Sequence, residues 1–192
     1  MKFAYADPPY YGKAEIHYGK HHPDAAAWDD KQTHLDLIER LCDEFPDGWA
    51  LSLNSTHLAW QLPACPDDAR VAAWVKTFHQ IRPMTVQYAW EPVIFRGGRK
   101  DPKRSPMVRD WFSSQPTMGR GLSGAKPDDF NQWILDLLNY RDGDELVDLF
   151  PGTGGMADSL AQRPFDFAAM DETPKHPQLI TFSAQPREDA PA

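Results

Sequence analysis

The chain has 192 residues, 41% of them hydrophobic, which is typical of one domain that can bury a full core. Its formal net charge of −8 argues against a protein that binds nucleic acid by overall electrostatic attraction. The sequence has no secretory signal and no apolar run of membrane-spanning length, so we expect a cytoplasmic location and no membrane partner.

The first predicted element is a strand over residues 3–6, which ends in Asp7-Pro8-Pro9-Tyr10. Proline lacks an N–H group and stiffens the backbone, so this tip presents a carboxylate, a carbonyl and an aromatic ring together. A planar amine can donate one hydrogen bond to Asp7 and one to the Pro8 carbonyl while Tyr10 stacks on its ring. The alternative interpretation is an ordinary turn after an edge strand.

Residues 11–30 are predicted to form an irregular segment beside this tip. Its aromatic side chains are suited to stacking on a nucleobase, and Tyr11, Tyr18 and Trp28 are the candidates. The histidines of the segment lack carboxylate or cysteine partners at metal-binding spacing, so no metal site is predicted.

The middle of the chain predicts alternating helices and strands. Apolar residues at helical spacing predict helices over 31–45 and 67–79, with a buried strand at 49–53 between them. Residues 84–88 and 92–95 are then predicted to form an antiparallel pair of strands.

A long basic loop is predicted over residues 96–125, next to the active face of the domain. Residues 96–109 contain one acid, Asp101, and a cluster of basic side chains. The candidate contacts to nucleic-acid phosphates are Arg96, Arg99, Lys100, Lys103 and Arg104. The alternative is a solvated surface loop.

The pair Lys126-Pro127 precedes another predicted helix. Its apolar residues recur at helical spacing and are Phe130, Ile134, Leu137 and Leu138. Asp128 and Asp129 fall in its first turn, where negative charge complements the helix dipole, and Gly143 is expected to end it.

A strand predicted before Leu149 leads into a glycine-rich turn, and a helix is predicted from Met156. Such a turn lets the backbone approach a nucleotide closely. A second strand is predicted to end at Asp171, 17 residues after Gly154, where an acid is suited to bind a ribose diol. A dinucleotide and S-adenosylmethionine both remain open as cofactors, although the dinucleotide fingerprint fits only if Ala157 replaces its last glycine.

The Asp-Pro-Pro-Tyr tip, the Lys-Pro pair and the D-x-F-x-G-x-G pattern from Asp148 together resemble the adenine-N6 DNA methyltransferases. The resemblance implies S-adenosylmethionine as cofactor and adenine in DNA as substrate. The implied catalytic residues are Asp7, Pro8, Pro9 and Tyr10. The implied cofactor-binding residues are Asp148, Phe150, Gly152, Gly154, Asp171, Lys126 and Pro127.

The order of these motifs, with the catalytic tip before the glycine loop, resembles the circularly permuted enzymes of bacteria, phages and restriction-modification systems. The resemblance implies a three-layer, Rossmann-like α/β sheet with an antiparallel strand near one edge. Residues 1–183 would form this single domain, with 96–125 as a basic insert and a last edge strand at 179–182. Residues 184–192 are expected to form a disordered tail, because they are rich in proline and charge.

Three alternatives remain open. An RNA adenine methyltransferase has the same base-pocket chemistry, a cofactor-binding subunit without activity is disfavoured by the intact Asp7, and cytosine-N4 enzymes usually carry serine at that position. A loop of about 30 residues is small for reading a DNA sequence. We therefore expect short or relaxed specificity, or help from a homodimer or a partner protein.

Overall fold

The computed structural model describes residues 1–20, 22–78, 81–101, 107–117 and 125–163, and the backbone of 178–181. Several predictions fall on other parts of the chain and lie outside the described residues. They concern Lys103, Arg104, the strand ending at Asp171, and the tail at 184–192.

One seven-stranded sheet forms the centre of the fold. Its strands are β1 (Lys2–Ala6), β2 (Gly48–Ser52), β3 (Arg70–Lys76), β4 (Trp90–Gly97), β5 (Trp111–Ser114), β6 (Glu145–Asp148) and β7 (Gln178–Thr181). They lie in the order β5-β3-β4-β2-β1-β6-β7. Among these described strands only β4 runs antiparallel to its neighbours, so the other strands end at one shared edge. We call this the carboxyl edge of the sheet.

Helices cover both faces of the sheet. They are α1 (Ala14–Tyr18), α2 (Lys31–Glu44), α3 (Leu58–Gln61), α4 (Asp128–Leu137) and α5 (Gly155–Ala161), with 3-10 turns at Pro23–Asp29, Ser55–His57 and Leu62–Ala64. Alternate side chains of β1 divide the core, because Phe3 and Tyr5 pack with α4 whereas Ala4 and Ala6 pack with α2. Three layers result, as predicted. None of the helices in the described ranges has the length and apolarity to cross a membrane.

The helix predicted over 67–79 is wrong, because most of this segment is strand β3. Burial alternates along it, with Ala72 and Trp74 buried and Val75 exposed, which is the period of a strand. The strand predicted at 84–88 is also wrong, since residues 83–86 form a bend. The antiparallel partners of β4 are therefore β3 and β2.

The segment predicted as a loop over 96–125 contains strand β5. Trp74 Nε1 donates a hydrogen bond to Ser114 Oγ at 2.9 Å, and Phe112 stacks on Trp133 with ring centroids 5.7 Å apart. These contacts to buried side chains favour a paired strand over a free loop.

Helix α4 begins after Pro127 as predicted, but it ends at Leu137, well before Gly143. Asn139 takes the left-handed conformation that ends many helices, with φ of 51°, and its side-chain amide donates to the Arg99 carbonyl. Gly143, with φ of 88°, lies instead in the turn that leads into β6.

Candidate active site

The carboxylate of Asp7 lies at the carboxyl edge, directly after β1, which the sheet places between β2 and β6. Lys126 Nζ donates to both of its oxygens, at 2.9 and 2.7 Å. The Lys126 side chain is 8% exposed and that of Asp7 is 20% exposed, so the ion pair is largely removed from water. The carboxylate predicted to accept an amine therefore binds an ammonium group in this structure.

The hydroxyl of Tyr10 joins the same group of side chains. It lies 3.0 Å from Glu91 Oε2 and 3.4 Å from Asp7 Oδ1, while Lys126 Nζ donates to it at 3.3 Å. A phenol has one proton to donate, and the shorter contact assigns that proton to Glu91. The hydrogen bond to Glu91 therefore sets the position of the Tyr10 ring.

Glu91 is the functional residue that the sequence analysis missed. It lies at the start of β4 and accepts from Tyr10, contacts Lys76 Nζ through Oε1, and has Lys126 Nζ 3.5 Å from Oε2. One signal in the sequence pointed to it, because Glu91 is the only acid between residues 69 and 100. An isolated acid at the start of a buried strand needs a charged partner.

Asp7, Glu91, Lys76 and Lys126 balance two negative charges with two positive ones, and we call them the charge cluster. Burial raises the pKa of Asp7 and Lys126 opposes this effect, while Glu91 raises that pKa further. Although burial acts in the opposite direction, Lys126 and Lys76 lower the pKa of Glu91. Likewise, Asp7 and Glu91 raise the pKa of Lys126 despite its burial, so Lys126 stays protonated.

A cavity of about 400 Å³ opens beside the charge cluster and continues along the glycine-rich turn after β6. Six of the predicted site residues line it: Asp7, Pro9, Lys126, Asp148, Phe150 and Gly152. Pro8 is buried, Tyr10 faces Glu91, and Pro127 caps α4. The structure thus brings six of the predicted catalytic and cofactor residues together around one cavity, whereas Pro8, Tyr10, Pro127 and Gly154 do not line it and Asp171 lies outside the described residues.

The glycine-rich turn depends on two left-handed glycines, Gly152 with φ of 49° and Gly154 with φ of 83°. A Cβ atom at Gly154 would meet nothing within 4 Å, so the need for glycine there is conformational. Asp148 precedes the turn and its Oδ1 accepts from the Phe150 N–H at 3.1 Å. Burial, together with the charge of Asp7, raises the pKa of Asp148 to about 6 against the opposing Phe150 hydrogen bond.

Within residues 11–30, the described parts 11–20 and 22–30 are folded rather than irregular, since they contain α1 and the turn Pro23–Asp29. Asp29 joins the two elements by accepting from the backbone N–H groups of Ala14 and Glu15 at 3.0 and 3.1 Å. Trp28 forms part of the cavity wall and packs edge-on against Phe150, with centroids 4.9 Å apart. Within the described ranges, no cluster of three or more metal-ligating side chains occurs.

The structure corrects the position of the predicted phosphate-binding residues. Because β4 is antiparallel, its end at Gly97 pairs with Gly48 at the start of β2, which is the edge opposite Asp7. There Arg96 Nε donates to Asp68 at 2.6 Å, and Arg99 donates to both oxygens of Asp144 at 2.6 and 2.7 Å. Lys100 directly follows Arg99. For Arg96, Arg99 and Lys100, the predicted position next to the active face is therefore wrong, whereas Lys103 and Arg104 lie outside the described residues.

Comparisons with known proteins identify the fold. No protein-family model matches the chain, and no curated protein matches its sequence. A crystal structure of M1.HpyAVI in complex with S-adenosylmethionine matches with a TM-score of 0.56 and 16% identity, covering 84% of this chain and 77% of that one. TTHA0409 of Thermus thermophilus, provisionally described as a DNA modification methylase and also complexed with S-adenosylmethionine, matches with a TM-score of 0.53, 14% identity, and coverage of 84% and 76%. These likenesses confirm the predicted methyltransferase-type α/β fold.

The first testable prediction concerns the ion pair between Asp7 and Lys126. In a double-mutant cycle with Asp7→Ala and Lys126→Ala, we expect a coupling free energy of about 1–3 kcal/mol, because each single change leaves a buried charge with poorer pairing. Urea unfolding of the four proteins measures it. The exposed pair Arg70 and Asp110, whose side chains are 64% and 55% exposed, is the control and should couple by less than about 1 kcal/mol. Equal coupling in the two pairs would contradict the role given to burial.

Proposed function

We propose that this protein transfers a methyl group from S-adenosylmethionine to the N6 amine of adenine in DNA. The observation that carries the proposal is that both oxygens of Asp7 accept hydrogen bonds from the Lys126 ammonium group. Asp7 lines a cavity that extends to the glycine-rich turn. A carboxylate that accepts hydrogen bonds from a nitrogen in this place is equipped to accept one from a substrate amine. The fold shared with M1.HpyAVI and TTHA0409 supports the same reaction class.

The residues around the cavity fit S-adenosylmethionine. The cavity volume of about 400 Å³ lies within the range of small-molecule sites. The glycine-rich turn leaves open space next to Gly154. Asp148, Phe150 and Gly152 line the cavity and would hold the cofactor together with Gly154 of the same turn. Lys126, which also lines the cavity, and its neighbour Pro127 would border the cofactor. Asp171 keeps its predicted role at the ribose hydroxyls. When bound, the cofactor supplies a methyl group on a positively charged sulfur.

Asp7 and Pro8 would activate the substrate nitrogen. The lone pair of N6 is delocalised into the adenine ring, which makes the amine a poor nucleophile. Hydrogen bonds from its two N–H groups to the Asp7 carboxylate and the Pro8 carbonyl localise that lone pair. The same acceptors stabilise the positive charge that develops on N6 as the methyl arrives, so their effect is largest in the transition state.

The methyl transfer requires only S-adenosylmethionine and the adenine amine, with no oxidant, reductant or other co-reactant. The N6 lone pair would form the new bond to the methyl carbon, and the cofactor would supply that methyl group and keep the electron pair of its carbon–sulfur bond. The methylated nitrogen then carries a proton that it must lose. Asp7 is the carboxylate in contact with that nitrogen, and burial has already raised its pKa toward proton acceptance.

Lys126 must leave Asp7 before the amine can bind there. Glu91 lies 3.5 Å from Lys126 Nζ and offers it a second carboxylate, so the ammonium group stays paired during the exchange. Glu91 also accepts from the hydroxyl of Tyr10, whose ring would stack on adenine. We therefore assign Glu91 and Lys76 as positioning residues of the charge cluster.

RNA remains the second candidate polymer, because the base pocket does not distinguish it from DNA. The permuted bacterial or phage type, the homodimer and the cytoplasmic location also stay predictions. The −8 charge of the chain gives no overall attraction to either polymer, so the contact surface must be local.

The direct test is nucleoside mass spectrometry of DNA and RNA from cells that lack adenine methylation and express the protein. We expect N6-methyladenine in DNA. Asp7→Ala is the control and should lower its level by about 100-fold or more, because one of the two acceptors of the amine is lost. N4-methylcytosine, or N6-methyladenine in RNA alone, would contradict the proposed substrate.

The cofactor assignment is tested at Gly154. Gly154→Val places a β-branched side chain at φ of 83°, a conformation it strongly disfavours, so the turn should move and affinity for S-adenosylmethionine should fall by more than about tenfold. Calorimetry measures the affinity. Gly12→Val is the matched control, since Gly12 also has positive φ and open space around it but lies outside the turn. Preferential binding of NAD by the parent protein would overturn the assignment.

The role of Glu91 is tested by its pH dependence. Glu91→Gln keeps an acceptor for Tyr10 but removes a negative charge that raises the pKa of Asp7. The reaction needs Asp7 ionised, so we expect the acidic limb of the kcat profile to move to lower pH, together with a lower maximal kcat. Glu39→Gln on the exposed face of α2 is the control and should leave the profile unchanged. A limb that stays in place would show that Glu91 does not act on Asp7.

A further inference from the structure

The connection between β3 and β4 carries an unusual concentration of exposed apolar side chains. Of the eleven large apolar residues that are exposed in the described part of the chain, six belong to residues 77–90. They are Phe78, Ile81, Met84, Val86, Tyr88 and Trp90, and Ile81 and Val86 are 84% and 81% exposed. Clustered exposed apolar side chains of this kind mark interaction sites.

These side chains lie on a folded turn, which Gln87 closes. Its side-chain carbonyl accepts from the Arg82 N–H at 2.9 Å, and its amide donates to the carbonyls of Arg82, at 3.0 Å, and of Met84. These three hydrogen bonds hold the turn together while Ile81 and Val86 face water. We call residues 81–88 the apolar turn.

The charge around the apolar turn indicates the kind of partner. Residues 69–90 contain no aspartate or glutamate, although the chain has 28 acids in 192 residues. Arg70 and Lys76 of this stretch are paired with Asp110 and Glu91, but Arg82 lies exposed within the turn itself. A surface that joins positive charge to apolar side chains is complementary to DNA, whose phosphates are negative and whose base pairs have apolar faces.

Two residues of the charge cluster flank the connection that carries the apolar turn. Lys76 ends β3, Glu91 begins the buried part of β4, and the Lys76 N–H donates to the Ala89 carbonyl at 2.8 Å. Lys76 and Glu91 contact each other, and Glu91 contacts Tyr10. The turn is therefore anchored to the residues that hold the catalytic tyrosine.

We propose that the apolar turn enters duplex DNA beside the target adenine and fills the space that this base leaves when it moves into the active site. An adenine in a duplex cannot reach Asp7 without leaving the stack, and unstacking is costly unless apolar side chains replace the lost contacts. Ile81 and Val86 supply that replacement. The inference rests on the proposed function.

The test compares native duplex DNA with the same DNA after heat denaturation, using labelled S-adenosylmethionine. Ile81→Ser combined with Val86→Ser should lower kcat/KM on duplex DNA by about 10- to 100-fold and change it by less than about twofold on single strands, where no stack needs to be opened. Both side chains are exposed, so the fold should be retained, which thermal unfolding checks. Ile16→Ser, which removes an apolar side chain 72% exposed on α1, is the matched control and should match the parent on both forms.

The outcomes separate the inference from the proposed function. Equal activity of the double variant and the parent, or an equal loss on duplex and single strands, overturns the inference and leaves the proposed function intact. A parent dimer that the double variant converts to a monomer in sedimentation would identify the apolar turn as a self-association surface, which also overturns it. A parent without activity on either form of DNA rejects the proposed function itself.

Discussion

The contact between Asp7 and Lys126 joins two parts of the chain that are 119 residues apart in sequence. It depends on the charge cluster as a whole, because the free energy of removing two charges from water can exceed their mutual attraction. Additional hydrogen bonds and ion pairs are needed to offset this desolvation cost. Glu91 and Lys76 complete it from β4 and β3. The end of β1, the start of β4, the end of β3 and the segment before α4 are thereby held at one point. The geometry around the cavity follows from this balance of charges.

Much of the sheet could be predicted from the sequence because it rests on local patterns. Five elements lie where hydrophobic periodicity and the glycine positions predicted them: the strand before Asp7, helix α2, strand β2, helix α4 and the turn after Asp148. Strand β3 could not be predicted, since Val71, Trp74, Val75 and Phe78 match the spacing of an amphipathic helix. Only pairing with β4 and β5 decides that this segment is extended.

The site itself required the sheet order. The position of Asp7 beside Asp148 follows from parallel strands with motifs at their ends, which the sequence suggests. Glu91 lies 81 residues from Tyr10, and its role depends on β4 running against its neighbours. The same reversal carries Arg96 and Arg99 away from the cavity. Composition shows that a segment is basic, but it contains no information about which edge of a sheet the segment reaches.

The pairing of β3 with β4 extends over six residue pairs, from Arg70 opposite Phe95 to Val75 opposite Trp90, before the chain enters the connection. This ladder includes Glu91 and ends one residue before Lys76, whose N–H then donates to the Ala89 carbonyl at the end of the connection. The residues between Lys76 and Ala89 are therefore free to change in length and sequence while the charge cluster keeps its form. In evolution or in the laboratory, such an arrangement allows this segment to vary while the residues around Asp7 keep their geometry.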